Sequence, residues 1–259
     1  MDTNLSGYKA IICGGTQGIG KATAEELVTL GATVTLVARD EESLIKLRDS
    51  LNGSGHQAVC VDFGDEKLVD ERIKSHVSRH GPFHILVNNT GGPPSGEITK
   101  SKNEQFIQAY LKHLICNHII TKAVLPGMKT NGYGRIINVI STSVKEPIPG
   151  LGVSNVTRGA VANWAKTLSR EVSAFGITVN NVLPGPTNTK RLKALISDIA
   201  SKRGLNSHTI NQEIIAEIPV GRIAQPEEIA YAIAFLASPA ASYINGINLP
   251  VDGGKLLSL

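Results

Sequence analysis

The residues best placed to do chemistry form a glycine-rich turn near residue 14. Gly14, Gly18 and Gly20 follow the apolar run 10–13 and precede a helix-like stretch, so the pattern predicts a strand, a tight turn and a helix N-terminus. Glycine has no Cβ to hold a phosphate away, and a helix N-terminus offers unpaired N–H donors with partial positive charge. The turn therefore predicts a dinucleotide site, and the plainer interpretation is an ordinary turn.

The choice of dinucleotide is argued from charge about twenty residues further on. An acid there would accept hydrogen bonds from the ribose 2′-hydroxyl of NAD, whereas an arginine accommodates a 2′-phosphate. This chain has Ala38 and then Arg39, and a guanidinium pairs bidentately with phosphate. We therefore predict NADP(H), with NAD(H) the less favoured cofactor. Asp40 argues the other way, and the alternative for Arg39 is a surface charge at the start of a helix.

The elements that would position this turn alternate short apolar runs with helix-length segments. Such a rhythm, with near-continuous apolar strands, is typical of a parallel sheet covered by helices on both faces. We predict an α/β fold, a single doubly wound Rossmann-type sheet, as one domain over residues 1–259. A polar stretch at 186–220 is either a substrate-side lid or a surface insertion. The predicted strands are 10–13, 32–37, 58–61, 85–87, 135–140, 177–182 and 247–251.

Composition narrows the class of protein. The net charge is +4 and the 26 basic residues are scattered, so neither a nucleic acid nor a membrane partner is predicted. No apolar stretch reaches the length of a membrane span, and we expect a cytoplasmic protein. The three cysteines are odd in number and lack metal-ligand spacing, so we predict reduced thiols and no metal site.

Several motifs coincide along the whole chain. They are the glycine turn, Asn88-Asn89-Thr90-Gly91 after one strand, Ser141 at the end of another, Pro184-Gly185-Pro186-Thr187, and a terminal Val251-Asp252-Gly253-Gly254. Together they resemble the short-chain dehydrogenase/reductase family, classical branch. The resemblance implies that the glycines hold the pyrophosphate, that Ile19 packs beside it, and that Asp62 meets the adenine. The cofactor-binding residues implied are Gly14, Thr16, Gln17, Gly18, Ile19, Gly20, Arg39, Asp62, Phe63, Asn89, Gly91, Arg158, Pro184, Gly185 and Thr187.

The catalytic segment departs from the family pattern. Where the family carries Tyr-x-x-x-Lys, this chain has Ser154 and Arg158, and His113 aligns with the usual catalytic asparagine. Of the usual four residues only Ser141 remains, although Asn117, one helical turn beyond His113, is a second candidate for the asparagine's place. The chain looks like a variant subgroup with Ser-Asn-x-x-Arg in this segment.

The resemblance implies hydride transfer between a nicotinamide and a carbonyl or secondary alcohol. Arg158 could hold the ribose and oppose developing negative charge, but it is a poor proton donor, and Ser154 is too short to replace a phenol. His113 is the candidate for feeding protons through water. We predict an NADP(H)-dependent oxidoreductase of the carbonyl reductase or alcohol dehydrogenase type, with 3-oxoacyl thioesters among the candidate substrates. The alternatives are a cofactor-binding sensor or scaffold without turnover and, more weakly, lyase chemistry.

The family also implies self-association. We expect a homo-oligomer, specifically a tetramer, in which the helices near 103–128 and 154–173 pair with their symmetry mates. The strand 247–251 would build the other interface. Small residues at 159–165 suit close helix contact, although they could equally pack against the sheet.

Overall fold

Seven parallel strands form a single sheet in the order β3-β2-β1-β4-β5-β6-β7. The computed structural model describes residues 1–258. The predicted α/β fold is confirmed. All seven predicted strands are present, each starting or ending within two residues of its predicted limits. The strands are β1 Lys9–Cys13, β2 Thr33–Ala38, β3 Gln57–Cys60, β4 Ile85–Asn88, β5 Gly134–Val139, β6 Ile177–Pro184 and β7 Asn248–Val251.

Helices cover both faces of the sheet because successive side chains of each strand point to opposite faces. In β1, for example, Ile12 packs with one apolar cluster and Ile11 with the other. One cluster buries apolar residues of α1, α2 and α9, and the other those of α3, α5 and α6. The helices are α1 Gly18–Thr29, α2 Glu41–Ser50, α3 Glu66–His80, α4 Asn103–Tyr110, α5 Cys116–Asn131, α6 Gly152–Val172, α7 Lys190–Arg203, α8 Ser207–Ala216 and α9 Pro226–Ala237.

The polar stretch 186–220 folds as α7 and α8 with a small apolar cluster of its own, centred on Ile196, Ala200 and Ile210. Side-chain caps start both helices, since Thr189 accepts a hydrogen bond from the backbone N–H of Leu192 and Asn206 from that of Thr209. The segment therefore packs as a helical pair outside the two clusters that flank the sheet.

A ladder of asparagine side chains crosses four neighbouring strands. Each amide nitrogen donates to the amide oxygen on the next strand: Asn88 to Asn138 at 2.9 Å, Asn138 to Asn181 at 2.8 Å, and Asn181 to Asn248 at 2.8 Å. The first three residues are buried. The interpretation of these strands as near-continuous apolar runs is wrong at these positions, because each amide finds its partner only across the sheet.

We expect Asn138→Ala to lower the free energy of unfolding by about 2–4 kcal/mol, because Asn138 serves two buried neighbours. Its removal leaves a donor on Asn88 and an acceptor on Asn181 unpaired, and each unpaired buried group costs about 1–3 kcal/mol. Asn248→Ala, at the exposed end of the ladder, is the matched control: it unpairs one donor, that of Asn181, in place of two groups, so the expected loss is about half as large. Urea unfolding at equal protein concentration compares them, and equal losses would contradict the ladder's role.

Among residues 1–258, no helix has the length and apolar character needed to cross a membrane. The three cysteines are free; Cys13 and Cys116 are buried and Cys60 is half-buried.

Candidate active site

A cavity of about 1170 Å³ opens at the carboxyl ends of the strands. It lies beside β1 and β4, where the strand order reverses, which is the expected ligand crevice of a doubly wound sheet. The structure brings nearly all predicted site residues to this cavity: Gly14, Thr16, Gln17, Gly18, Ile19, Arg39, Asp62, Phe63, Asn89, Gly91, His113, Ser141, Ser154, Arg158, Pro184, Gly185 and Thr187 line it. Gly20 does not line the cavity; it packs against the backbone of Gly14 inside the turn.

Close packing within the glycine turn explains why Gly20 is needed. A Cβ built on Gly20 would lie 2.1 Å from the carbonyl oxygen of Gly14, so the first turn of α1 can pack against the end of β1 only with glycine there. Gly14 has φ +60°, and its Cβ would lie 2.4 Å from the carbonyl oxygen of Asn89. The Asn89 amide in turn donates to the carbonyls of Cys13 and Gly14 at 3.3 and 3.4 Å, which joins β4 to the turn.

The turn fits a dinucleotide pyrophosphate. No side chain caps the N-terminus of α1, because Gln17 stands at the N-cap position without a capping hydrogen bond. The first-turn N–H groups of α1 therefore remain available to an anion at the cavity's edge.

Arg39 and Ala38 line the end of the cavity next to β2. The carboxylate of Asp40 is already engaged, since it accepts from the N–H of Ser43 at 3.1 Å and from its hydroxyl at 2.7 Å as the N-cap of α2. Asp40, the residue whose charge favours NAD in the sequence, thus stabilises the N-terminus of α2. Asp62 accepts from the N–H of Gly64 at 2.8 Å beside the same end of the cavity.

Ser141, Ser154 and Arg158 line the same cavity from β5 and α6. The Ser141 hydroxyl accepts from the N–H of Ser143 at 3.1 Å, which leaves its own hydrogen free to donate. Ser154 is buried in the first turn of α6, and Arg158 lies one turn further along the helix.

The Arg158 guanidinium is buried without an acid beside it. Its Nη1 donates to the carbonyl oxygen of Val139 at 3.0 Å, and none of the ion pairs among residues 1–258 includes it. Burial, with a smaller contribution from the charge of Arg191, lowers the pKa of Arg158 to about 10. The side chain therefore stays charged at neutral pH, with donors to spare.

His113 lies in a single π-helical turn, Leu111–Ile115, between α4 and α5. It is buried, and its Nδ1 is 2.5 Å from the hydroxyl oxygen of Thr90. Burial first, and then the charges of Arg158, Lys112 and Arg191, lower its pKa well below the usual value, so the imidazole is neutral at pH 7. Single π-helical turns within longer helices are frequent at functional sites. Asn117, the other candidate for the family asparagine, does not line the cavity.

Comparison with known proteins agrees with this architecture. The family model described as enoyl-(acyl carrier protein) reductase matches residues 14–255. The 3-oxoacyl-(acyl-carrier-protein) reductase of Vibrio cholerae is 34% identical over 98% of this chain and 99% of its own length. The chain belongs to the short-chain dehydrogenase/reductase family.

Solved structures place the whole chain within the short-chain dehydrogenase/reductase fold. L-sorbose reductase from Gluconobacter frateurii, solved with NADPH and L-sorbose, superposes with a TM-score of 0.93 at 32% identity and 100% coverage of each chain. YwfH, an NADPH-dependent reductase involved in bacilysin biosynthesis, superposes with a TM-score of 0.93 at 26% identity, covering 98% of this chain and 100% of its own.

Sequence reasoning missed two residues of the site in this short-chain dehydrogenase/reductase. In the sequence, Thr90 is only one position of the Asn88-Asn89-Thr90-Gly91 motif, and its contact with His113 joins segments 23 residues apart. Arg191, the second residue of α7, lines the cavity but sits in the polar stretch where no periodic pattern marks it. An arginine just after the Pro184-Gly185-Pro186-Thr187 motif was the available signal.

Proposed function

We propose that this chain is an NADP(H)-dependent oxidoreductase that reduces a carbonyl, or oxidises a secondary alcohol, at a variant centre of Ser141, Ser154 and Arg158. The observation that carries the proposal is one continuous cavity. It connects the glycine turn and Arg39 with the two serines and a buried, charged guanidinium.

Arg39 carries the NADP(H) part of the proposal. Its guanidinium is exposed at the cavity end where a 2′-phosphate would lie, position 38 holds no acid, and the carboxylate of Asp40 is engaged by Ser43. The NADPH that two structural neighbours name supports the same cofactor.

We expect NADPH to bind at least about tenfold more tightly than NADH, because a charge-assisted bidentate contact with the 2′-phosphate contributes about 1.5–3 kcal/mol. Arg39→Ala should remove most of this difference. Arg48→Ala, which removes an arginine of α2 that does not line the cavity, should preserve it. Fluorescence titration with both cofactors measures the ratio, and equal affinities in the parent protein would refute the assignment.

The site residues have distinct roles in the proposed reaction. When bound, the reduced nicotinamide supplies the hydride that adds to the carbonyl carbon. Ser141 donates its free hydrogen to the carbonyl oxygen, and Arg158 binds ribose hydroxyls and offsets the negative charge that develops on that oxygen. Ser154 supplies a second hydroxyl at the same wall of the cavity, on a side chain shorter than the tyrosine of the family pattern.

We propose that the proton reaches the alkoxide from water. With a pKa of about 10, Arg158 holds its proton at neutral pH, and the lowered pKa of His113 keeps that imidazole uncharged. Neither Arg158 nor His113 is therefore the source of the proton. His113, one of whose ring nitrogens contacts Thr90, passes protons from water to the alkoxide. Loss of a positioned general acid typically costs about 10²- to 10⁴-fold in rate, so turnover is expected to be slow.

We propose that residues 1–259 form one domain, with the 186–220 segment as its substrate-side lid. Apolar residues of α7 and α8, including Leu195, Ile199 and Ile214, form one wall of the cavity, while their own cluster is separate from those flanking the sheet. Such a pair of helices can shift without disturbing the main core.

The second candidate function, a cofactor-binding sensor without turnover, is favoured by one observation, Ser154 in place of a phenol. NADPH oxidation measured against ketones, quinones and 3-oxoacyl thioesters, alongside NADPH binding, separates the two. Turnover above a no-protein blank supports the oxidoreductase. Tight binding without turnover across the panel supports the sensor.

We further propose a cytoplasmic homotetramer. The free thiols suit a reducing compartment, and β7 is an edge strand. The predicted helical interface carries an exposed apolar surface formed by Phe106, Ile107, Tyr110, Leu111 and Ile115.

Light scattering at micromolar concentration should give the mass of four chains. Ile107→Asp should shift the protein to a smaller species, since Ile107 is 64% exposed in the single chain and a charge there opposes burial. A monomeric parent protein would contradict the proposal.

A further inference from the structure

Two arginines of the cavity, Arg158 and Arg191, have no acid to balance them. The ion pairs among residues 1–258 involve neither, and no carboxylate acts on the pKa of either. Arg158 is buried, whereas Arg191 is exposed in the single chain and loses only part of its hydration, which lowers its pKa. The charge of Arg191 is also felt at Arg158 and at His113. Two like charges that share one cavity without an anion favour a ligand that brings one.

Arg191 is held in place by the loop after β4. Its Nη2 donates to the carbonyl oxygen of Pro93, and a Cβ built on Gly92 would lie 3.3 Å from the same nitrogen. Glycine at position 92 thus lets the guanidinium lie flat against the loop. One nitrogen is engaged, and the other donors of the fork remain available to a ligand.

Most acids nearby are already paired. Glu213 pairs with Arg203 and Glu217 with Lys255, although all four line the cavity. Asp198 pairs with Lys202 and accepts from Ser95. Glu104 also lines the cavity and forms no ion pair among residues 1–258, but it is exposed to solvent in the first turn of α4.

Lys112 and Asp62 lie together elsewhere, both beside Gly64 at the end of the cavity next to β3. Arg39 lies at the end of the cavity next to β2, and the charge of Lys190 is felt at Asp40. Within residues 1–258, Arg158 and Arg191 are the two remaining arginines of the cavity without an ion pair, and the charge of Arg191 is felt at Arg158.

We propose that the substrate is an oxo acid, or the corresponding hydroxy acid, and that Arg191 binds its carboxylate while its carbonyl faces Ser141 and Arg158. The inference rests on the proposed oxidoreductase function and names its substrate class. A planar guanidinium fork matches a carboxylate in bidentate geometry. Leu192, Leu195 and Ile199 on the same helix line the adjoining wall, so the acid carries an apolar side chain.

The same fork would also suit a cofactor phosphate. The start of α7 touches the glycine turn, where a Cβ built on Gly18 would lie 3.0 Å from the Thr189 side chain. The experiment must therefore separate a substrate carboxylate from the pyrophosphate.

The test compares Arg191→Gln with Lys193→Gln, which removes an equal charge from an exposed site of the same helix outside the cavity. Calorimetry on the NADPH-loaded protein measures the binding of 4-methylpentanoate and of 4-methylpentanamide, neither of which can be reduced. Initial rates compare 4-methyl-2-oxopentanoate with the neutral ketone 4-methyl-2-pentanone. NADPH affinity is measured for each variant by fluorescence.

The parent and Lys193→Gln should bind the carboxylate at least about tenfold more tightly than the amide, and Arg191→Gln should lose that preference with its NADPH affinity unchanged within about twofold. If Arg191→Gln binds NADPH at least about tenfold more weakly and keeps its preference for the carboxylate, Arg191 belongs to the cofactor site and the proposal is overturned. Equal affinity of the parent for acid and amide would also overturn it. Carboxylate binding that depends on Arg191 without turnover of any oxo acid would keep the anion site and refute the oxidoreductase.

Discussion

Arg158→Ala should lower kcat by about 10²- to 10³-fold, the usual effect of removing one donor that stabilises a developing oxyanion. The guanidinium is a buried cation held by the carbonyl oxygen of Val139, and Ser141 alone cannot replace its charge. The same variant should bind NADPH more weakly, since the proposed ribose contacts go with it. Steady-state rates with the best carbonyl substrate and fluorescence titration measure both effects.

Matched variants separate charge from structure at this position. Arg158→Lys keeps the charge and loses the planar fork, so it should restore activity only partly. Ser154→Ala should cost less than Arg158→Ala, because that hydroxyl is too short to be the main acid. Ser154→Tyr combined with Arg158→Lys should raise turnover if the cavity still admits the carbonyl. Circular dichroism checks folding, and an Arg158→Ala protein that reduces like its parent would show that the arginine is structural.

Gly20→Ala should abolish measurable NADPH binding, a loss of at least about 100-fold. The added methyl would stand 2.1 Å from the Gly14 carbonyl oxygen, so the first turn of α1 must move away from the strand end that holds the cofactor site. Displacement of these N–H donors removes several charge-assisted hydrogen bonds to the pyrophosphate at once.

Gly159→Ala provides the control for this substitution. Gly159 is also helical, but a Cβ there meets nothing within 4 Å, and alanine is the better helix former. We expect unchanged NADPH affinity and equal or higher thermal stability. If Gly20→Ala fails to fold, Gly18→Ala should show a smaller loss of affinity in a folded protein. Its Cβ would meet the side chain of Thr189 and no backbone atom, and the φ of +52° adds a modest backbone strain. Parental affinity in Gly20→Ala would refute the assigned turn.

The strands, the glycine turn and most residues of the cavity can be predicted from local sequence patterns. Strand positions follow from apolar runs buried on both faces, and the glycine turn follows from backbone geometry that only glycine allows. The predicted lining residues meet because the carboxyl ends of parallel strands share one edge of the sheet.

The sequence does not show which polar side chains form hydrogen bonds across neighbouring strands. A buried asparagine in an apolar run has no visible partner until the register of the strands is known, which is why the amide ladder is unexpected. The contacts of Arg191 could not be predicted from the sequence for a similar reason. Its segment carries little periodicity, so the motif at 184–187 places it near the site without indicating its contacts with the loop at Gly92.

The amide ladder also bears on how the sheet assembles. Its three hydrogen bonds join residues 50, 43 and 67 positions apart, so none can form before the intervening helices have brought distant strands together. Loop closure of this length is unfavourable until such contacts form, which makes ladder closure a late event in folding. A strand that docks two residues out of place would bury amides without partners, at about 1–3 kcal/mol each. The asparagines therefore favour one register of these strands over a shifted one.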